Sequence, residues 1–141
     1  MTYYFFFRHA DGWISNFTKR GCGHTFIGVQ DEKSSHITIV DGLYHCLDVR
    51  SIKEIKDFPR IYNGYQVRIL KVEVSKLSMY PKGYRNFNAL LMFNRCVVMA
   101  LYLTGLRFKV FTPWQLYKKL RKIESSPIKG LKHSIISIKE V

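Results

Sequence analysis

One cysteine, one histidine and one aspartate in this chain have the surroundings that nucleophilic catalysis requires. Cys96 stands in Asn94-Arg95-Cys96-Val97-Val98, where an apolar run begins that closes at Thr104-Gly105. That run reads as a buried helix with Cys96 at its start. A thiol at a helix N-terminus sits in a positive backbone field, which favours the thiolate. Asn94 is placed to cap the helix, and the Cys96 backbone N–H is placed to help bind an oxyanion. A cysteine on an apolar helix also serves simply as core filling. His24 lies in Gly21-Cys22-Gly23-His24-Thr25, at the head of a strand, with small residues around it that leave room for approach. It is the best candidate base for the thiol. Acyl transfer through a thiol further needs a group that orients the base. Asp41 ends the strand expected to pair with that of His24. His36, which begins the same strand, is the alternative. Hairpin pairing sets residues near Val29 against His36 and brings the Asp41 end to His24, which favours Asp41. Otherwise Asp41 is a turn residue before Gly42.

The elements that must position these residues follow from local pattern. Residues 2–7 read as a strand. Residues 11–23 read as a loop, with a short helical turn at Trp13–Phe17. His24 to Val29 is a strand, Gln30 to Ser35 a turn, and His36 to Asp41 a strand rich in β-branched residues. Gly42 makes a bend and Leu43 to Val49 a third strand, giving a meander. Ser51 to Ile55 reads as one helical turn stopped near Pro59. Tyr65 to Val74 is a longer strand whose apolar phase slips from Tyr65, Val67, Ile69 to Leu70, Val72, Val74. A period of two cannot slip by one along a single face without a bulge, expected here near Ile69. Residues 75–93 are a loop. Asn94 to Thr104 is the clearest helix, apolar nearly all round. Thr112-Pro113 opens another, with Thr as N-cap and Pro as first helical residue. In it Leu116, Leu120 and Ile123 share a stripe, and Lys118, Lys119, Arg121 and Lys122 face water. Pro127 and Gly130 lie beyond its end, and Ser134 to Val141 reads as a final strand. The expected fold class is α+β: a mostly antiparallel sheet packed on a central buried helix, in a single domain over residues 1–141.

Composition bounds the rest. Hydrophobic residues make up 47% of the 141 and aromatics 15%, so the chain has the means to fold around one core. The apolar start Tyr3–Phe7 meets Arg8, His9 and Asp11 at once, far short of the roughly 20 residues of a membrane span. The start also lacks the basic residues and small-residue cleavage site of a signal peptide. Three cysteines, Cys22, Cys46 and Cys96, cannot all pair, which points to a reducing compartment and a cytoplasmic location. Net charge is +13 and uneven: residues 1–70 carry 9 Lys/Arg and 7 Asp/Glu, residues 71–141 carry 14 and 3. Such a field favours anionic partners without choosing among them.

Four stretches together carry a resemblance: Gly23-His24-Thr25-Phe26-Ile27-Gly28-Val29; Ile37-Thr38-Ile39-Val40-Asp41; Asn94 through Leu106; and Thr112-Pro113-Trp114-Gln115-Leu116-Tyr117-Lys118-Lys119-Leu120. In order and spacing this set resembles small phage and bacterial proteins of the circularly permuted papain-like, NlpC-type group. There a strand histidine precedes a helix-borne cysteine, the reverse of papain's order. The resemblance covers about residues 22–120. It implies a permuted papain-like fold and a cysteine hydrolase or acyltransferase acting on a peptide, amide or ester. It puts Cys96 in the nucleophile's position, His24 in the base's and Asp41 in the polar third. The basic second half would suit an acidic, peptidoglycan-like substrate. A phage-encoded member would act in the host cytoplasm or with the virion.

Other readings stand beside it. Cys22, His24, His45 and Cys46 suggest zinc, but adjacent strand residues point to opposite faces and the usual Cys-x2–4-Cys spacing is missing. No Gly-rich phosphate loop, dinucleotide fingerprint or Gly-x-Ser-x-Gly elbow is present, so no cofactor is expected. Nucleic-acid binding is the serious rival. Residues 71–141 interleave basic residues with Tyr80, Tyr84, Phe87, Phe93, Tyr102, Phe108, Phe111, Trp114 and Tyr117, and the Pro81–Phe87 loop is its likeliest contact. A phage structural or host-interaction protein on an inactive hydrolase scaffold is a third.

Overall fold

The computed structural model describes residues 1–10, 19, 21–43, 46–61, 67–74, 95–106, 108–125 and 135–141. Six strands form one sheet: β1 (Thr2–Arg8), β2 (His24–Gln30), β3 (Ile37–Gly42), β4 (Leu47–Ile52), β5 (Val67–Val74) and β6 (Ile135–Glu140). Their order is β4-β3-β2-β1-β5-β6 and every neighbouring pair is antiparallel. The helices are α1 (Phe58–Ile61), which follows a 3-10 turn at Ile55–Asp57, then α2 (Arg95–Thr104) and α3 (Pro113–Ser125). The class is α+β, as expected.

β1 lies in the middle of the sheet, and its Tyr3–Phe7 run is buried without a break. A strand covered on both faces reads as a continuous apolar run. Tyr3, Phe5 and Phe7 face the layer that holds α2 and α3, with Ile27, Leu70, Val97, Leu101, Leu116 and Leu120. Tyr4 and Phe6 face a smaller layer with Phe26, Ile37, Ile39, Ile52 and Phe58. There the rings of Phe6, Phe26 and Phe58 pack as a triangle, Phe6 lying 4.8 Å from Phe26 and 4.6 Å from Phe58, and those two 6.0 Å apart. Gly28 makes this layer possible. A Cβ at that position would lie 2.9 Å from Ile37 Cγ2 and 3.0 Å from Phe6 Cε2.

The same two-sided burial corrects the expected bulge near Ile69. β5 pairs with β1 in unbroken register from Arg8↔Val67 to Thr2↔Glu73. Val67 and Ile69 pack on the smaller layer, and Leu70, Val72 and Val74 on the larger. The apolar phase changes because the strand changes which face it buries more deeply. The one irregularity in β5 falls between Glu73 and Val74, against β6. Two further expectations shift. The fourth strand is Leu47–Ile52 rather than Leu43–Val49: Leu43 stands outside both strands, and its N–H donates to Cys46 C=O at 2.9 Å just before Leu47. Pro59 does not stop a helical turn. It sits in the first turn of α1, where its missing N–H costs nothing.

α2 packs on β2 and β3. Val97, Ala100, Leu101 and Thr104 form its inner stripe. As the nearly all-round apolar sequence implies, most faces of α2 are covered; Tyr102, 44% exposed, marks its solvent side. Thr104 Oγ1 donates to Ala100 C=O at 2.8 Å, and Gly105 follows with φ +66°, a left-handed stop. α3 begins as its Thr-Pro start requires. Gln115 N–H donates to Thr112 Oγ1 at 3.2 Å, and Gln115 Oε1 accepts from the N–H groups of Phe111 and Thr112. This is a reciprocal cap. Leu116 and Leu120 are fully buried and Ile123 nearly so.

Trp13–Phe17, the loop 75–93 with Pro81–Phe87, Asn94 and His45 lie outside the described residues. None of the described helices is long and apolar enough to cross a membrane.

Candidate active site

His24 opens β2, directly across from Arg8 of β1. It shares its side of the strand with Phe26, and the two rings lie 5.9 Å apart at 28°. Asp41 completes the buried alternation Ile37, Ile39, Asp41 of β3. The β2–β3 register runs Val29↔Thr38, Gly28↔Ile39, Ile27↔Val40. Continued by one step, it sets Asp41 beside Phe26 and two residues from His24, on the same face, the diagonal neighbourhood long side chains can bridge. His24 Nε2 and Asp41 Oδ1 are 2.6 Å apart. The Asp41 side chain is only 3% exposed and that of His24 14%.

Cys96 is the second residue of α2 and is buried. It belongs to the larger core layer, whereas Phe26 belongs to the smaller. The His24 imidazole stands between the two, stacked near Phe26 and close enough to the Cys96 thiol for the thiol to help raise its pKa. Asp41 holds Nε2, which leaves Nδ1 as the nitrogen for sulfur. His24 therefore joins the two layers where β2 begins. The first N–H groups of a helix have no partner within it, so the start of α2 turns N–H donors toward the region of Cys96.

The electrostatics of the imidazole are the sum of opposed effects. Burial pushes His24 toward its neutral form. The hydrogen bonds to Asp41 and Cys96, with the charges of both, outweigh burial and raise its pKa to about 9. An imidazolium is thus held beside the sulfur at neutral pH.

Gly42 explains how α2 comes so near. A Cβ there would lie 2.8 Å from Met99 Cε and 3.2 Å from Met99 Sδ. Met99 follows Cys96 by one turn of α2, so the space left by Gly42 lets the cysteine helix sit over the end of β3. Sequence reasoning took Gly42 for a bend and missed this contact. It also missed Phe26, although the i, i+2 spacing from His24 put the two on one face.

The remaining candidates fall elsewhere. His36 is exposed, and its Nδ1 lies 3.2 Å from Ser35 Oγ. All three cysteines are free; Cys22 is buried and Cys46 exposed. Burial raises the pKa of the Cys22 thiol, against the opposing pull of Arg68. Thr25, next to His24, is fully buried, and its hydroxyl has no hydrogen-bond partner among the described residues.

No family model, curated protein or solved structure matches this chain. Fold and site together define a coarse class: an α+β domain in which an antiparallel sheet and a helix start bring a hydrogen-bonded histidine and aspartate close to a cysteine.

Proposed function

We propose that the protein is a cysteine hydrolase or acyltransferase, built as a circularly permuted papain-like domain, that acts on an amide, peptide or ester. The observation that carries this reading is the single imidazole bonded to a buried carboxylate and set close to a thiol at a helix start. The Nε2–H of His24 donates to Asp41, which fixes the tautomer and supports the imidazolium. The proton of Cys96 already rests on the imidazolium, so the sulfur is held beside it as a thiolate. The thiolate attacks the substrate carbonyl carbon, and the carbonyl π electrons move to oxygen, which the N-terminal amides of α2 receive. The imidazolium returns its proton to the leaving amine or alcohol as the C–N or C–O bond breaks. A thioester remains on Cys96. Water or another acceptor, deprotonated by His24, then releases the acyl group and restores the thiol.

The test is the rate of iodoacetamide alkylation at each cysteine from pH 4 to 9, in the wild type and in His24→Ala. Exposed Cys46 serves as the internal reference. The reading expects Cys96 to label rapidly at acid pH and to slow at least tenfold in His24→Ala, while Cys46 is unchanged. It expects Cys96→Ala to lose all turnover of thioester and amide substrates and to keep its fold. Slow Cys96 labelling, indifferent to His24, would make the thiol structural and end the proposal. So would turnover by Cys96→Ala.

A further inference from the structure

We propose that the outward face of α3, with Lys19 beside it, is a docking surface for the phosphodiester backbone of nucleic acid. Two ammonium groups meet at one indole: Lys19 Nζ lies 5.8 Å and Lys118 Nζ 5.6 Å from the Trp114 ring centroid. The indole stacks on Tyr117 at 5.6 Å and 16°, and the Arg68 guanidinium lies 5.4 Å from the Tyr117 ring. Lys119 Nζ lies 6.0 Å from the Phe108 ring. Cations held by ring faces are fixed in position while keeping their full charge.

The distribution of acids sharpens the point. Glu124 and Glu140, the carboxylates of this region, are both engaged by Arg121, and Glu140 Oε1 also accepts from Tyr117 Oη at 3.4 Å. Among the described residues, Lys19, Lys118 and Lys119 have no carboxylate partner. Like charges gathered at one ring without a counter-ion repel one another, and an anion bridging them relieves that repulsion. Phosphates repeated along a chain supply such anions and release bound counter-ions when they dock.

The face suits a solvated polyanion better than a lipid surface. The apolar stripe of α3, Leu116, Leu120 and Ile123, is spent on the core. Among the described side chains of α3 the exposed ones are Gln115, Lys118 and Lys122, which give no apolar side for insertion into a bilayer. The aromatic rings are covered by cations, so binding should be independent of base sequence.

The experiment measures anisotropy of a fluorescent single-stranded 20-mer from 0.05 to 0.3 M salt. The proteins are the wild type, Lys118→Gln/Lys119→Gln, and a control of equal charge, Lys33→Gln/Lys53→Gln. The control changes exposed residues at the β2–β3 turn and after β4. Circular dichroism checks that all three are folded. At roughly 0.7 counter-ions per phosphate, losing two contacts lowers the salt slope by about 1.4 and affinity by about 15-fold at 0.15 M. The control pair should stay within about twofold of wild type. Equal losses in both variants would mean diffuse attraction and overturn the proposal. So would the absence of oligonucleotide binding at 0.05 M, whether or not phosphatidylserine vesicles bind. Alkylation of Cys96 should be the same in all three proteins, which keeps this surface separable from the proposed chemistry.

Discussion

Replacing Asp41 with Asn tests the electrostatic core of the site. In the folded protein the His24 pKa stands at about 9, against an ordinary value of 6.5. A pKa raised on folding stabilises the fold in full below the unfolded value. The gain is lost as pH rises through the folded one. The window is therefore pH 6.5 to about 9, and a difference of this size corresponds to about 3 kcal/mol. For a domain of this length that is about 10 °C in Tm. Asn keeps the shape of Asp41 and an oxygen to accept the Nε2–H, but it removes the carboxylate charge. Burial, which favours neutral imidazole, is then opposed by Cys96 alone. Urea denaturation at intervals from pH 6 to 9.5 should show wild-type stability falling across the window. Asp41→Asn should be less stable than wild type by about 2–3 kcal/mol at pH 6, since it breaks a buried charge pair. The gap between the two proteins should close by more than half by pH 9.5. Comparing the two curves removes every other titrating group common to both. Parallel curves would refute the claim that Asp41 holds His24 protonated.

Two packing predictions and one about a buried hydroxyl accompany it. Gly28→Ala should cost about 2–3 kcal/mol in urea denaturation, because its new methyl meets the buried Ile37 and Phe6 side chains. Gly42→Ala should cost about 1 kcal/mol or less, since the end of Met99 can swing aside; its larger effect should be slower Cys96 alkylation as α2 shifts. Thr25→Val should leave stability unchanged or raise it by about 1 kcal/mol, because the hydroxyl it removes is buried without a partner. A loss above about 1 kcal/mol in thermal unfolding would show that the hydroxyl is used.

Much of the local structure was legible in residue types alone. Thr112-Pro113 announced α3, and Thr104-Gly105 the end of α2, because capping and left-handed stops depend on the residues that make them. The β-branched run of β3 and the head of β2 were equally local. The candidate residues Cys96, His24 and Asp41 could be named because few side-chain types do acyl chemistry, and hairpin pairing pointed to Asp41 over His36. Tertiary structure decided what no window contains. Alternation along β5 revealed burial but not which of two layers each residue enters, so a two-sided strand looked like a bulged one. Leu43–Val49 was apolar enough for a strand, yet pairing with β3 starts the strand only at Leu47, opposite Gly42. Pro59 marked a boundary without showing on which side the helix lay. The meeting of His24 with Cys96 depends on the approach of α2 to the end of β3, which Gly42 permits by lacking a side chain. Periodicity records how deeply a residue is buried; only packing between distant segments determines what it touches.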